Sequence, residues 1–158
     1  MDTTALDDAY QRLLAAAGAI GDTALPAADA RADIDGTLSH IALSDRMLAA
    51  TAREVSAGRP ATVDNREAMD ETAIDSLIAS TTHTQRVDLV RRNAADLGAV
   101  IRAMPDQAAA APVALRLVGR DGRPVPEQRL PWGDLVRLRA TTHIPGHAER
   151  IRSLTSAR

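Results

Sequence analysis

The decapeptide "TTHIPGHAER", Thr141–Arg150, sets two histidines four residues apart, the spacing that stacks side chains on one face of an α-helix. Pro145 and Gly146 lie between them. In a helix interior these residues cost about 3 and about 1 kcal/mol relative to alanine. Whether helical phase survives them decides how the C-terminal third of the chain folds. Val136, Ala140, His143, His147, Ile151 and Leu154 follow one another at steps of 4, 3, 4, 4 and 3 residues. That stripe predicts one helix from Trp132 to about Leu154, continuous but kinked, with both imidazoles pointing at the core. The kink is expected because proline removes the amide that would bond to the carbonyl of Thr141 and crowds that carbonyl.

Upstream, Leu6, Tyr10, Leu13, Ala17 and Ile20 make a second helical stripe, predicting a helix over about 4–20. Thr4 followed by Asp7 resembles a capping box at its start. The stretch "GDTALPAAD" reads as a connection. Ile34, Leu38, Ile41, Asp45, Leu48, Ala52 and Val55 predict a long helix over about 30–57, closed by Gly58 and Pro60, with a carboxylate in mid-stripe. Asp64 with Glu67 signals another helix start. A single rod from there to Met104 would span about 60 Å, too long for a chain of 158 residues. The Ser/Thr cluster "ASTTHT" is the natural break, giving a short helix at about 65–79 and a long one at about 82–104. Then comes a loop, "PDQAAAAP", and a small hairpin or extended excursion in "VALRLVGRDGRPVPEQRL". Four long helices with one irregular excursion read as a single all-α domain, an antiparallel four-helix bundle.

Composition narrows the chemistry. All nineteen basic residues are arginine, so Schiff-base catalysis and a P-loop lysine are excluded. Cysteine is absent, which removes disulfides, thiolate nucleophiles and cysteine metal sites; any thiol must arrive as a cosubstrate. A net charge of −2 and only two aromatic residues, Tyr10 and Trp132, argue against nucleic acid and anionic membranes as partners. The acidic N-terminus is unlike a secretory signal, and no apolar run approaches the roughly 20 residues of a spanning helix, so a cytoplasmic protein acting on a small molecule is expected.

Two neutral imidazoles on an apolar face need hydrogen bonds or a shared ion. A lone histidine there is usually a satisfied core residue; a pair at i, i+4 favours a common ligand. The third donor has two candidates, His40 at the edge of the second long helix and His83 in phase with the next, and periodicity does not choose between them. "HIPGH" is not the protease motif, since Ile144 fills the slot of the general-base glutamate.

"GTLSHIALSDRML" (36–48) followed about a hundred residues later by "LVRLRATTHIPGHAERIRSL" (135–154) resembles the DinB-like superfamily, with its YfiT-type and mycothiol-dependent enzymes. The resemblance covers nearly the whole chain in helix order. It implies a four-helix bundle, often a homodimer, in which one histidine of the second helix and an H-x-x-x-H pair of the fourth hold a divalent ion. Carried over, the ligands are His40, His143 and His147, the ion is Zn²⁺ with Ni²⁺ or Fe²⁺ as alternatives, and the activity is transfer of a low-molecular-weight thiol. Metal-dependent hydrolysis or isomerisation and a catalytically silent binding module are the competing functions. Pro145-Gly146 and His83 depart from the pattern. His83 is a possible additional ligand, a proton shuttle or a cap at a helix break. Asp45 either serves the site as a base, ligand or orienting carboxylate, or forms half of an internal arginine pair. The arginines of "RVDLVRR" and "LVRLRA" read as solvated faces, with one or two available to a substrate carboxylate, and "GRDGR" reads as a turn rather than a phosphate loop.

Overall fold

The computed structural model describes residues 1–20, 28–119 and 121–156. The chain is mainly α-helical with one small sheet. Helices α1 (Thr4–Gly18) and α2 (Ala28–Ser56) are followed by strand β1 (Ala61–Asp64), the short helices α3 (Arg66–Met69) and α4 (Glu71–Ser80), and the long α5 (His83–Ala103). A 3-10 turn at Asp106–Ala110 leads into strands β2 (Pro112–Arg116) and β3 (Gln128–Pro131). Helix α6 (Trp132–Leu138), a π-helical turn (Arg139–His143) and α7 (Ile144–Ser156) then run on without a gap. Most of the predicted connection at 21–29 lies outside the described residues, as does Arg120 of "GRDGR".

The long helices form because each carries an apolar stripe that has somewhere to go. Leu6, Tyr10, Leu13 and Ala17 of α1, Ile34, Leu38, Ile41 and Leu48 of α2, Val87, Val90, Leu97 and Ile101 of α5, and Trp132, Val136, Ile144 and Ile151 of α6–α7 build one core. Helix α5 packs along α2 and α1; α7 packs along α1 and touches α2. Alanines at the seams, among them Ala9, Ala17, Ala49, Ala52 and Ala148, are 0–1 % exposed, which lets the helix backbones approach closely.

Starts and stops follow local chemistry. Thr82 and Gln85 form a full capping box at the head of α5, which is why "ASTTHT" breaks the chain there. The Asp70 side chain accepts from the Thr72 amide and starts α4. Gly58, at φ 67°, turns the chain out of α2, with the Arg59 amide bonded back to the Glu54 carbonyl. The Thr4–Asp7 capping box does not form. Thr3 is the N-cap, and the Thr4 amide bonds instead to the Asp2 carboxylate, one helical position earlier than expected.

Residues Ala61–Asp64 lie between the predicted helices over 30–57 and 65–79, where the sequence reading placed no element. They form a strand, parallel to β2 in the register Val63↔Leu115, while β2 and β3 make the expected hairpin with Val113 opposite Leu130. Asp64 ends that strand rather than starting a helix, and the helix over 65–79 is broken in two at Asp70. The Asn65 side chain locks the junction. It donates to the Val118 carbonyl at 3.1 Å and accepts the Val118 amide at 2.8 Å. The sheet and α3–α4 thereby stand beside α2, leaving a cleft between them and the π turn.

Candidate metal centre

That cleft encloses ≈ 820 Å³ and is lined by His40, His143 and His147. The three imidazoles converge, with ring centroids 5.7 Å (His40–His143), 5.4 Å (His40–His147) and 4.6 Å (His143–His147) apart. One ring nitrogen from each lies within 4.8 Å of the others, and this is the one cluster of metal-binding side chains among the described residues.

Each ring is placed by its backbone. His40 follows the fully buried Ser39 and precedes the fully buried Ile41, so it stands at the edge of α2's core face. Its Nδ1–H donates to the Ala68 carbonyl of α3 at 2.7 Å; a carbonyl only accepts, so the lone pair belongs to Nε2. His143 closes the π turn and His147 sits in the first turn of α7. The π turn is the answer to Pro145. The Ile144 amide bonds to the Arg139 carbonyl, five residues back, and the widened turn gives the proline ring room against the preceding carbonyls. The helix is continuous through Pro145, as its stripe predicts. The stripe's facing differs: Ile144, Ala148 and Ile151 take the core positions, 0–1 % exposed, and the histidines are turned to the cleft, half-buried.

Arg139 dominates the electrostatics. Its guanidinium is buried, forms an ion pair with Asp45, donates to the Tyr10 hydroxyl at 2.9 Å and to Ser44 Oγ at 3.3 Å, and places Nη1 3.3 Å from His143 Nδ1. Burial pushes the His143 pKa down to about 3, with the Arg139 charge adding to the effect, so the ring is neutral at ordinary pH. A guanidinium only donates, so it occupies the Nδ1 lone pair and leaves the ring proton on Nε2.

Asp45 is not at the cluster. It is 0 % exposed, and its Oδ1 receives both Arg139 and the Tyr10 hydroxyl, so it is half of an internal arginine pair. It makes no hydrogen bond to the histidines and reaches His143 through Arg139, because its position on α2 faces α1 and the π turn rather than the cleft. Its other oxygen, Oδ2, has no hydrogen-bond partner among the described residues. His83 is also elsewhere. Its Nδ1 lies 2.9 Å from Asp35 Oδ1 and its Nε2 2.9 Å from the Ala17 carbonyl, so both nitrogens are spent tying the head of α5 to α1 and α2. The fourth-ligand and shuttle readings of His83 find no support in that geometry.

Two residues of the site were not singled out by the sequence. Arg139 was read with "LVRLRA" as part of a solvated face, whereas the Asp45 and Tyr10 side chains draw it into the core; its one signal was its place four residues before His143. Glu71 had none. It is the one carboxylate on the cleft lining, exposed and without a hydrogen bond or ion pair among the described residues.

Two nitrogens on one zinc, each at about 2.1 Å, stand at most about 4.2 Å apart. Drawing in a cluster already within 4.8 Å needs only small side-chain rotations. The donor set, three imidazoles and no carboxylate or thiolate, suits Zn²⁺, Ni²⁺ or Fe²⁺. The adjustment that fit demands is at His143, where Arg139 and an ion compete for one lone pair. No protein-family model, no curated protein and no solved structure matches this chain.

Proposed function

We propose that this chain is a metal-dependent enzyme of the DinB-like type, an antiparallel four-helix bundle that holds a divalent ion on His40, His143 and His147. The observation that carries the reading is the convergence of three imidazoles, from helices about a hundred residues apart in sequence, at one cleft. Three imidazole nitrogens within 4.8 Å of one another, on the wall of one cleft, offer a divalent ion three donors of the kind it binds.

When bound, the ion would supply Lewis acidity, polarising a substrate oxygen or lowering the pKa of a bound thiol or water. The chain's own contributions are separate. His40 is fixed in one tautomer by the Ala68 carbonyl. The buried Arg139–Asp45–Tyr10 group, tied to α1 and α2, holds the π turn and with it His143. The sheet and α3–α4 wall one side of the cleft. Transfer of a low-molecular-weight thiol is the reaction class we propose, supported by the resemblance of the two histidine segments and permitted by the absence of cysteine.

Elemental analysis after expression in Zn- and Ni-replete medium tests the site. One equivalent of metal in the wild-type chain and more than about a hundredfold weaker binding in His143→Ala is the expected outcome, since even supporting residues of metal sites cost 10–100-fold. Protein that carries no metal and shows no affinity on titration would sink the reading. Consumption of a thiol together with an electrophile identifies a transferase; turnover without a thiol would redirect the reaction to hydrolysis.

A further inference from the structure

We infer that the molecule admitted to the cleft is an amphiphilic monoanion, an anionic head at the histidines and an apolar body along the opposite wall. The inference rests on the metal reading above for the head, and on the lining alone for the body.

The head follows from charge. Three neutral imidazoles leave both positive charges of a divalent ion uncompensated, and no carboxylate belongs to the cluster. Asp45, buried behind the cleft, is paired with Arg139. An anionic head offsets one of those charges, and a neutral one offsets neither.

The body follows from an accounting of the polar lining. Thr37 Oγ1 donates to the Asp33 carbonyl at 2.8 Å, and Arg150 pairs with the Asp33 carboxylate at 2.9 Å. The Asn65 amide is spent on both backbone groups of Val118, and Ser44 accepts from Arg139. Each of these groups already has a partner within the chain. What is left on the wall is aliphatic and thioether surface: Met47 of α2, Val63 of β1, Met69 and Ile74 of α3–α4, Leu117 beyond β2 and Leu135 of α6. The methionines adapt to shape without specifying it. A space of ≈ 820 Å³ is within the 300–1,000 Å³ usual for small-molecule sites.

Glu71 then acts as a filter. Its carboxylate is the unpaired charge of the lining, so it disfavours a second anionic group on the body.

The test is calorimetric titration of the zinc-loaded protein with butyrate, hexanoate and octanoate, and with suberate, the dicarboxylate as long as octanoate. Affinity is expected to tighten about threefold to fourfold per methylene, the fold-change of burying one CH₂. Suberate should bind more weakly than octanoate, and Glu71→Gln should narrow that gap. Ile74→Asn should flatten the dependence on chain length while leaving zinc stoichiometry at the wild-type value. It lies on α4, which has no buried residue, so the variant is expected to fold. If butyrate and octanoate bind equally, the apolar body is refuted and the metal reading stands. If the protein holds no zinc, the metal reading fails, and the same series on the metal-free chain decides the body alone. An unchanged octanoate–suberate gap in Glu71→Gln refutes the filter.

Discussion

Replacing Arg139 by methionine tests the internal pair that props the π turn. Methionine keeps the length and most of the apolar stem, so the change is chiefly the loss of charge and hydrogen bonds. In the wild-type chain burial pushes the Asp45 carboxyl up, and Arg139 with the Tyr10 hydroxyl pulls it part of the way back. Without Arg139 the carboxylate is 0 % exposed and has the Tyr10 hydroxyl as its one named donor, with Oδ2 already bare. Asp45 then has two options: remain charged, at the about 3–5 kcal/mol of a broken buried pair, or take up a proton on folding. From the ordinary aspartate value of about 3.9, protonation at pH 7 costs about 4 kcal/mol, and at pH 5 under about 2. A loss of about 3–4 kcal/mol at pH 7 is therefore expected, a large part of the about 5–15 kcal/mol of a typical domain.

The sign of its pH dependence follows. A carboxyl whose folded pKa is raised binds its proton more readily folded than unfolded. The stability it contributes is present at low pH and lost as pH rises through the folded value. Arg139→Met should recover stability between pH 7 and about pH 4, at up to about 1.4 kcal/mol per pH unit. Asp45→Leu in the same chain should restore most of the loss and abolish that slope, since an apolar pair replaces the ionic one. Urea unfolding of the two singles and the double, followed by far-UV circular dichroism from pH 5 to pH 8, measures all of this. Additive losses, or an Arg139→Met deficit that does not vary with pH, would refute the assignment of Asp45 and Arg139 as one electrostatic unit.

Gly146→Ala should stabilise the chain by about 0.5–1 kcal/mol, because Gly146 lies within α7 with ordinary φ and a Cβ there meets nothing within 4 Å; a lower melting temperature would contradict this. Pro145→Ala restores a backbone amide and should let the π turn relax toward α-helix, raising stability by up to about 3 kcal/mol while weakening zinc binding; unchanged zinc affinity would show that the turn does not position His143. Asn65→Ala removes both bonds to Val118 and should cost about 1–3 kcal/mol, with faster amide exchange at Val118; wild-type exchange there would show that the sheet, not Asn65, holds the junction.

What the sequence made legible was whatever depends on neighbours within a few residues. The stripes of α1, α2 and α5 could be read because amphipathic periodicity is local. Strand β1 could not. Its four residues show no pattern strong enough to outvote a helix, and they are a strand because Val63 finds Leu115, fifty-two positions away. The site divides in the same way. His143 and His147 declare themselves by spacing, and His40 competes on equal terms with His83 until tertiary packing is known. His83 is removed by Asp35 and the Ala17 carbonyl, partners that no periodicity announces. Asp45 was visible as an acid on an apolar stripe, but its partner Arg139 lies 94 residues away.

Pro145 shows how one local rule can be right about continuity and wrong about direction. In an unbroken α-helix each residue advances the phase by about 100°, and a stripe through Val136 and Ala140 carries His143 and His147 into the core. The π turn adds a residue to one turn and resets the phase downstream. Ile144 and Ala148 inherit the core, and the histidines swing to its edge. Buried imidazoles would have been satisfied structural groups; at the edge, half-buried and opposite His40, they line a cleft a small molecule can enter. The residue that seemed to threaten the site is thus tied to its accessibility: proline favours the wide turn, the wide turn rotates the pair, and the rotation separates a core from a candidate active site.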